Sequence, residues 1–397
     1  MKVVQINATC GIGSTGKICT GISQVMTKQC IENYVLCSRS NGHPLGVPCA
    51  EGRYIKFQAL KAKLLGNYGF NSVSATRRML RELKRIQPDI VHLHNIHGHD
   101  CDLELLFSWF RENKTKLVWT FHDCWAFTSY CTHFTLAKCE KWRSQCGACP
   151  QYRGYSWIFD RSRELFLKKK ELFSGLDLTI VTPSQWLGNL VKQSFLKEYP
   201  VYVINNGIDL SIFHPCSGRF REERSLEDKK IILGVTFGWN ERKGLDVFSE
   251  LSRRLSDDYR IVLVGTDTNV DKLLPDDIIS IHRTQNQQEL TQIYSAADIF
   301  VNASREENYP TVNMEALACG TPVLTFRTGG GPEMLDETCG FVVPWGDVDA
   351  LEREVRRICA DKPYTKADCL RKAAEFDQNE RFKEYLALYE RINTSGN

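Results

Sequence analysis

The chain of 397 residues is 42% hydrophobic and 25% charged, which suits a soluble globular protein large enough for two domains with separate cores. A formal net charge of +3 is too small to argue for a nucleic-acid partner, and no apolar run approaches the roughly 18 residues that a spanning helix needs. Met1–Cys10 carries Gln5 and Asn7 and no apolar leader, so the expected location is the cytoplasm, where sixteen cysteines imply core thiols or metal rather than disulfides.

Strand-like runs at Lys2–Asn7, Tyr34–Cys37, Ile90–His94, Lys116–Thr120 and Leu178–Val181 alternate with helical patterns over Lys17–Gln29, Ser72–Ile86, Leu103–Glu112 and Arg161–Phe173. That alternation predicts an α/β domain over residues 1–204 with a doubly wound parallel sheet. Lys56–Lys63 and Arg77–Arg85 are locally basic; both read as solvated helix faces, with contact to anionic lipid as the alternative. Asn205–Pro215 and the charged Arg219–Lys230 read as a linker, 205–229. A second series follows at Ile231–Val235, Ile261–Val264, Ile278–Ile281, Ile299–Val301, Val323–Phe326 and Phe341–Val343, which predicts a second α/β domain over 230–377.

The first strand leads into Gly11-Ile-Gly13-Ser-Thr-Gly16-Lys17-Ile18. A P-loop needs a Ser or Thr hydroxyl where Ile18 stands. A dinucleotide site wants an acidic residue about 20 positions on, yet the second strand ends in Cys37-Ser38-Arg39, which leaves only an NADP-type arrangement. Ile90–Asp102 holds four histidines, but strand alternation sends His92 and His94 one way and leaves His97 and His99 in the next loop, so the spacing does not encode a metal site. Asp100 and Asp102 lie where a helix starts, and N-capping explains them.

Ser304–Glu333, SREENYPTVNMEALACGTPVLTFRTGGGPE, brings two carboxylates, a helix start and a Gly-rich turn together. Pro310-Thr311 should open a helix over about Thr311–Cys319 that Gly320 and Pro322 end. Glu315 is the ionisable side chain on that otherwise apolar element and needs a partner. Glu307 lies just before the helix, whose first-turn amides form an anion site. This run, with its GG-x-x-E continuation, resembles the Glu-x7-Glu signature of the family 4 retaining glycosyltransferases. HDCWAFTSYC and NNGID add a likeness to the bacterial capsular and colanic-acid members.

The resemblance implies a GT-B fold, two Rossmann-like domains facing a cleft, with a C-terminal helix at about 378–393 packing back on the first. It implies a metal-independent enzyme that moves a sugar from a nucleoside-diphosphate sugar to a glycan or lipid-linked acceptor, peripheral at the inner face of the membrane. The first domain would bind the acceptor and the second the donor. Glu307 and His122 would line the transferred sugar, and Lys243, with Arg242 beside it, would neutralise the leaving diphosphate. Glu315 would hold the ribose. Gly13, Gly16, Asn308, Tyr309, Pro310, Thr311 and Glu333 would complete the donor site, and His97 would stand near the acceptor. The alternatives are a sugar-nucleotide epimerase of the same shape and a glycan-binding scaffold without activity. No cofactor is expected for catalysis.

A Cys-rich insertion at about 124–150 holds Cys131, Cys139, Cys146 and Cys149. The two-residue gap of the last pair suits a structural zinc with four thiolate ligands, for which Cys124 or His133 could substitute; two disulfides are the other reading.

Overall fold

The computed structural model describes residues 1–40, 42–50 and 52–394, and they fall into two compact units. One is Met1–Asn205 together with the C-terminal helix from Asn379; the other is Asn206–Gln378. Residues 206–229 therefore pack within the second unit.

The first unit is built on seven parallel strands: β1 (Lys2–Ile6), β2 (Glu32–Cys37), β3 (Gly46–Pro48), β4 (Ile90–Leu93), β5 (Lys116–Thr120), β6 (Leu178–Thr182) and β7 (Val201–Val203). Their order is β3-β2-β1-β4-β5-β6-β7, so the winding reverses between β1 and β4. Ligands of such sheets bind beyond the carboxyl ends of the strands at that reversal. Strands buried on both faces read as continuous apolar runs, which is why Ile90–Leu93 and Leu178–Thr182 were legible. The short edge strands β3 and β7 offer three residues each and no such signal.

The helix Gln378–Thr394 closes this unit by laying Phe382, Tyr385, Leu386, Leu388 and Tyr389 against Ile18, Ile22, Val25 and the β-sheet residues Val3, Ile90, Val118 and Val181. Buried polar groups lock it in place: His92 Nδ1 meets Tyr389 Oη at 2.6 Å, and His92 Nε2 meets Thr120 Oγ1 at 2.8 Å. His92 is thus a core residue whose ring nitrogens are satisfied by Tyr389 of this helix and by Thr120 of β5.

The second unit holds six parallel strands, β8 (Lys230–Val235), β9 (Tyr259–Val264), β10 (Ile279–Ile281), β11 (Ile299–Asn302), β12 (Val323–Phe326) and β13 (Gly340–Val343). The order β10-β9-β8-β11-β12-β13 places its reversal between β8 and β11. Both units are therefore the doubly wound parallel sheets that the alternation of elements predicted.

The Cys-rich segment departs from expectation. Cys131, Cys139, Cys146 and Cys149 line one small cavity, but among the described residues no three His, Cys, Asp or Glu side chains are grouped to hold a metal ion. Cys131 and Cys149 hydrogen-bond each other instead, which holds the Cys149 thiol down at about 7 and pushes Cys131 up. The geometry gives no support to zinc, and other contacts hold the loop. Trp142 packs between Phe127 and Phe134, with ring centroids 5.2 and 5.0 Å away. Lys169, fully buried, donates to the carbonyls of Trp125, Thr128 and Ser129 at 2.8, 3.2 and 3.0 Å. An aromatic cluster and one buried amine hold the loop in shape. The cysteines of the chain are mostly buried in the cores, and no disulfide joins any of those described.

Candidate active site

In the second unit the loops after β8, β11 and β12 converge, because all three leave the sheet at its carboxyl end beside the winding reversal. Asn240 caps the turn Glu241–Lys243 by accepting from Lys243 N at 3.1 Å, and this fixes the base of the Lys243 side chain. Lys243 Nζ forms an ion pair with Glu307 Oε1, both side chains largely shielded from solvent. Arg242 is turned to the backbone, donating to Glu306 O at 3.4 Å. Arg305, which sequence reasoning passed over, fastens the two loops together. Its guanidinium grips both carboxylate oxygens of Asp246 at 2.7 and 2.6 Å, and its amide donates to Arg242 O at 2.8 Å. The fork-to-fork geometry holds the Asp246 carboxyl below its ordinary value.

The helix after β11 spans Thr311–Ala318, with Pro310 at its N-cap and no side chain capping the first turn. A helix start of this kind can serve as an anion site. Asn308 and Tyr309 are buried just before it, and Asn206 Nδ2 donates to Tyr309 O at 3.4 Å. Glu315 finds the partner its position demanded: the buried Tyr294 donates its hydroxyl to Glu315 Oε2 at 3.0 Å. Burial, with the adjacent carboxylate, pushes the Tyr294 hydroxyl well up, so it stays a donor. Glu333 is exposed on the short turn Gly331–Met334 after β12.

The Gly-rich turn backs the Glu307 loop. Gly330 N donates to Asn308 O at 2.7 Å, and Gly329 has φ of 56°, where a Cβ would stand 1.9 Å from the Glu307 carbonyl oxygen. Gly329→Ala should therefore cost about 1–3 kcal/mol of stability and push the Glu307 backbone out of place. Thermal denaturation and kcat measured together check this, and an unchanged variant would contradict the close approach.

In the first unit Gly13 and Gly16 lie in the first turn of the helix that follows β1, and His97 and His122 lie on the loops after β4 and β5. Gly13 starts the helix Gly13–Lys28 with φ of 68°, and a Cβ there would meet no atom within 4 Å. A Cβ on Gly16 would come within 2.8 Å of Thr9 Oγ1, so that glycine serves close packing of the loop on the helix. Asp102 caps the helix Leu103–Glu112 by accepting from Leu105 N at 3.2 Å, as N-capping predicts. Asp100 does otherwise: it accepts from the Ser38 hydroxyl at 2.5 Å.

The histidines divide into two groups. His97 Nε2 meets Asp123 Oδ2 at 3.0 Å, and its carbonyl accepts from Tyr68 Oη at 2.8 Å. Asp123 is a second group that sequence reasoning missed, although the His-Asp pair at a strand end was a usable signal. His122 stacks on His94, ring centroids 5.4 Å apart, with His122 Nε2 3.1 Å from His94 Nδ1. His94 Nε2 lies 2.9 Å from Gln5 Oε1. An amide oxygen only accepts, so His94 Nε2 carries the proton, His94 Nδ1 accepts, and His122 donates from Nε2. His122 Nδ1 is then the lone-pair nitrogen of a neutral ring. Burial pushes His122 down to about 4 and His99 down to about 4, and holds His92 and His94 well below the ordinary histidine value.

These shifts fix the sign of the acid response. An unfolded histidine takes up a proton near pH 6.5, whereas His99 and His122 refuse one until about pH 4 in the folded unit. Their contribution is complete above pH 6.5 and is lost as pH falls toward 4. Asp123, held low by His97 against the effect of burial, adds a loss of the same sign lower down, while burial raises Asp100 and opposes it. The melting midpoint should fall on acidification from about pH 6.5 to 4. A flat midpoint across that range in a calorimetric pH series would contradict the buried neutral network.

Comparison with known proteins places the geometry in context. Residues 16–212 match the family model "Glycosyltransferase Family 4", and residues 229–361 match "Glycosyl transferases group 1". Between them the two models span most of the chain. The chain is 24% identical over 351 residues to the colanic acid biosynthesis glycosyl transferase WcaC of Escherichia coli (strain K12), covering 85% of this chain and 83% of that one. It is 26% identical over 355 residues to a glycogen synthase of Deinococcus deserti, covering 80% and 76%. Among solved structures it resembles a sucrose-phosphate synthase from Thermosynechococcus elongatus, with a TM-score of 0.73, 16% identity and full coverage of both chains. Anabaena HepE in complex with UDP and glucose gives a TM-score of 0.69 at 14% identity, over 98% of this chain and all of that one.

Proposed function

The chain belongs to the family 4 glycosyltransferases of GT-B fold, and from that premise we propose that it is a retaining enzyme that moves a sugar from a nucleoside-diphosphate sugar to a glycan or lipid-linked acceptor in surface polysaccharide biosynthesis. The observation that carries this reading is the Lys243–Glu307 ion pair at the carboxyl end of the second sheet, with Glu315 on the helix that follows. A cation and a carboxylate held together before substrate arrives can separate onto the two charges of the reaction. Lys243 turns to the leaving diphosphate and Glu307 to the sugar as it becomes positive. Arg242 and the first-turn amides of Thr311–Ala318 add positive potential for the phosphates, a task that in other enzymes falls to a divalent metal. Asn308, Tyr309 and Pro310 shape the approach to those amides, and Glu333 completes the donor set in this unit. Glu315, oriented by Tyr294, takes the ribose.

HepE was solved with UDP and with UDP-glucose, which favours a nucleotide sugar as donor here. WcaC is named for colanic acid, which favours a surface polysaccharide. In the first unit the family resemblance supports a role for the neutral His122 ring with the sugar and for His97, paired with Asp123, with the acceptor. No helix among the described residues is long and apolar enough to cross a membrane; a cytoplasmic place, peripheral at the inner membrane, is what the family resemblance implies. No comparison favours an epimerase or an inactive scaffold.

A melting assay against nucleoside diphosphates and their sugars, run in chelator, tests the donor half. A ligand at 100 times its Kd stabilises by about 2.7 kcal/mol, so one base should raise the midpoint clearly. No rise with any donor, or a rise only when Mg²⁺ or Mn²⁺ is added, would overturn the reading.

A further inference from the structure

The helix Gly52–Leu65 in the first unit is amphipathic the wrong way round for a globular helix. Its buried residues are Gln58 and Ala62, whereas Phe57, Leu60, Leu64 and Leu65 face solvent, Phe57 at 62% exposure. Phe57, Leu60 and Leu64 are spaced three and four apart and so form one stripe. Beside them stands a second exposed apolar run, Trp157-Ile158-Phe159, at 56%, 58% and 47% exposure. The two are joined: Trp157 N donates to Lys63 O at 2.8 Å, and Lys63 Nζ lies 5.4 Å from the Trp157 ring centroid. Tyr130 Oη donates to Gly66 O at 3.1 Å and accepts from Arg161 N at 3.0 Å, which ties the helix end to the loop end.

The charge around this surface is mostly positive. Arg53, Lys56, Lys61 and Lys63 lie on the helix, which has no acidic residue, and Arg153, Arg161 and Arg163 flank the aromatic run. Two acids stand among them: Asp160, exposed, accepts from Cys149 N at 2.7 Å and Ser162 N at 2.9 Å, and Glu164 pairs with Arg161 at 3.8 Å.

We propose that the helix Gly52–Leu65 and the loop Trp157–Phe159 form a docking surface for an anionic lipid bilayer. An apolar stripe with aromatic residues enters the boundary between headgroups and acyl chains, and the surrounding lysines and arginines meet lipid phosphates. The alternating reading of Lys56–Lys63, a solvated polar face, does not fit a stripe whose exposed members are Phe and Leu. The proposal deepens the lipid-linked acceptor in the proposed function, since it would bring the first unit to the surface where such an acceptor resides. It rests on exposed residues alone, so a failure of the transfer chemistry would leave it standing.

The test is co-sedimentation of the full chain with vesicles of phosphatidylcholine alone and with vesicles rich in phosphatidylglycerol, without any activity readout. The protein should pellet with the anionic vesicles and be released by salt. Trp157→Ser with Phe159→Ser should abolish pelleting while the melting midpoint stays in place. Lys56→Glu with Lys61→Glu should weaken partitioning by at least roughly fivefold for each lysine. Wild-type protein that ignores anionic vesicles, or paired variants that pellet like wild type, would overturn the proposal. So would a dimer that the Trp157/Phe159 pair disrupts in the absence of vesicle binding, since a second copy would then own the surface.

Discussion

Lys243→Ala is expected to lower kcat by about 10²–10³-fold while the fold is kept, the scale seen when one preorganised stabiliser of developing charge is removed. The side chain stands on a turn fixed by Asn240, so its ammonium is held where it is with little freedom to lose on reaction. Its present partner is Glu307. In transfer the diphosphate gains negative charge as the sugar gains positive charge, and the two halves of the ion pair answer those two changes. Glu307→Gln should therefore lower turnover with little effect on donor affinity. Because each residue is the other's counter-charge, the double variant should lose less than the product of the two single losses. Single-turnover rates on the three proteins decide it; an unaltered rate in Lys243→Ala would remove the residue from the chemistry.

Glu315→Ala should weaken nucleotide binding by about 10–100-fold, the equivalent of losing a hydrogen bond to a charged acceptor. A ribose contact is the same in the ground state and the transition state, so kcat at saturating donor should change far less. Tyr294→Phe tests the same assignment from behind. It removes the hydroxyl that orients Glu315, and the expected loss of affinity is smaller and in the same direction. Calorimetric titration with the nucleoside diphosphate measures both, and equal affinity in wild type and Glu315→Ala would take the carboxylate out of the ribose site.

Much of this organisation could be read in the chain because a doubly wound sheet writes itself as repeated apolar runs. The helix Leu103–Glu112 was expected and found with the same bounds, and the helix at Thr311 ends one residue before the expected Cys319. Glu307, Glu315 and Lys243 were singled out by the resemblance to the family signature, and the structure pairs Lys243 with Glu307. What could not be read depends on contacts between distant segments. Tyr294 reaches Glu315 across 21 positions, and Lys169 reaches Trp125 across 44. Neither distance leaves a local pattern. The Cys146–Cys149 gap fits thiolate ligation, which the structure does not support, while the shape of that loop comes from Trp142, Phe127, Phe134 and a buried lysine, whose packing no spacing rule encodes. The helix Gly52–Leu65 was read as a polar face because its lysines are conspicuous, while its exposed Phe and Leu residues were visible only once the buried side was known.

The most direct test of the central assignment is to follow a nucleoside-diphosphate sugar and a glycan acceptor by NMR with the wild-type enzyme and with Glu307→Gln, in chelator. The account predicts release of the nucleoside diphosphate, a product whose anomeric configuration matches that of the donor, and a large fall in the rate of both for the variant. Donor converted to another sugar nucleotide with no diphosphate released, or a product of inverted configuration, would contradict it.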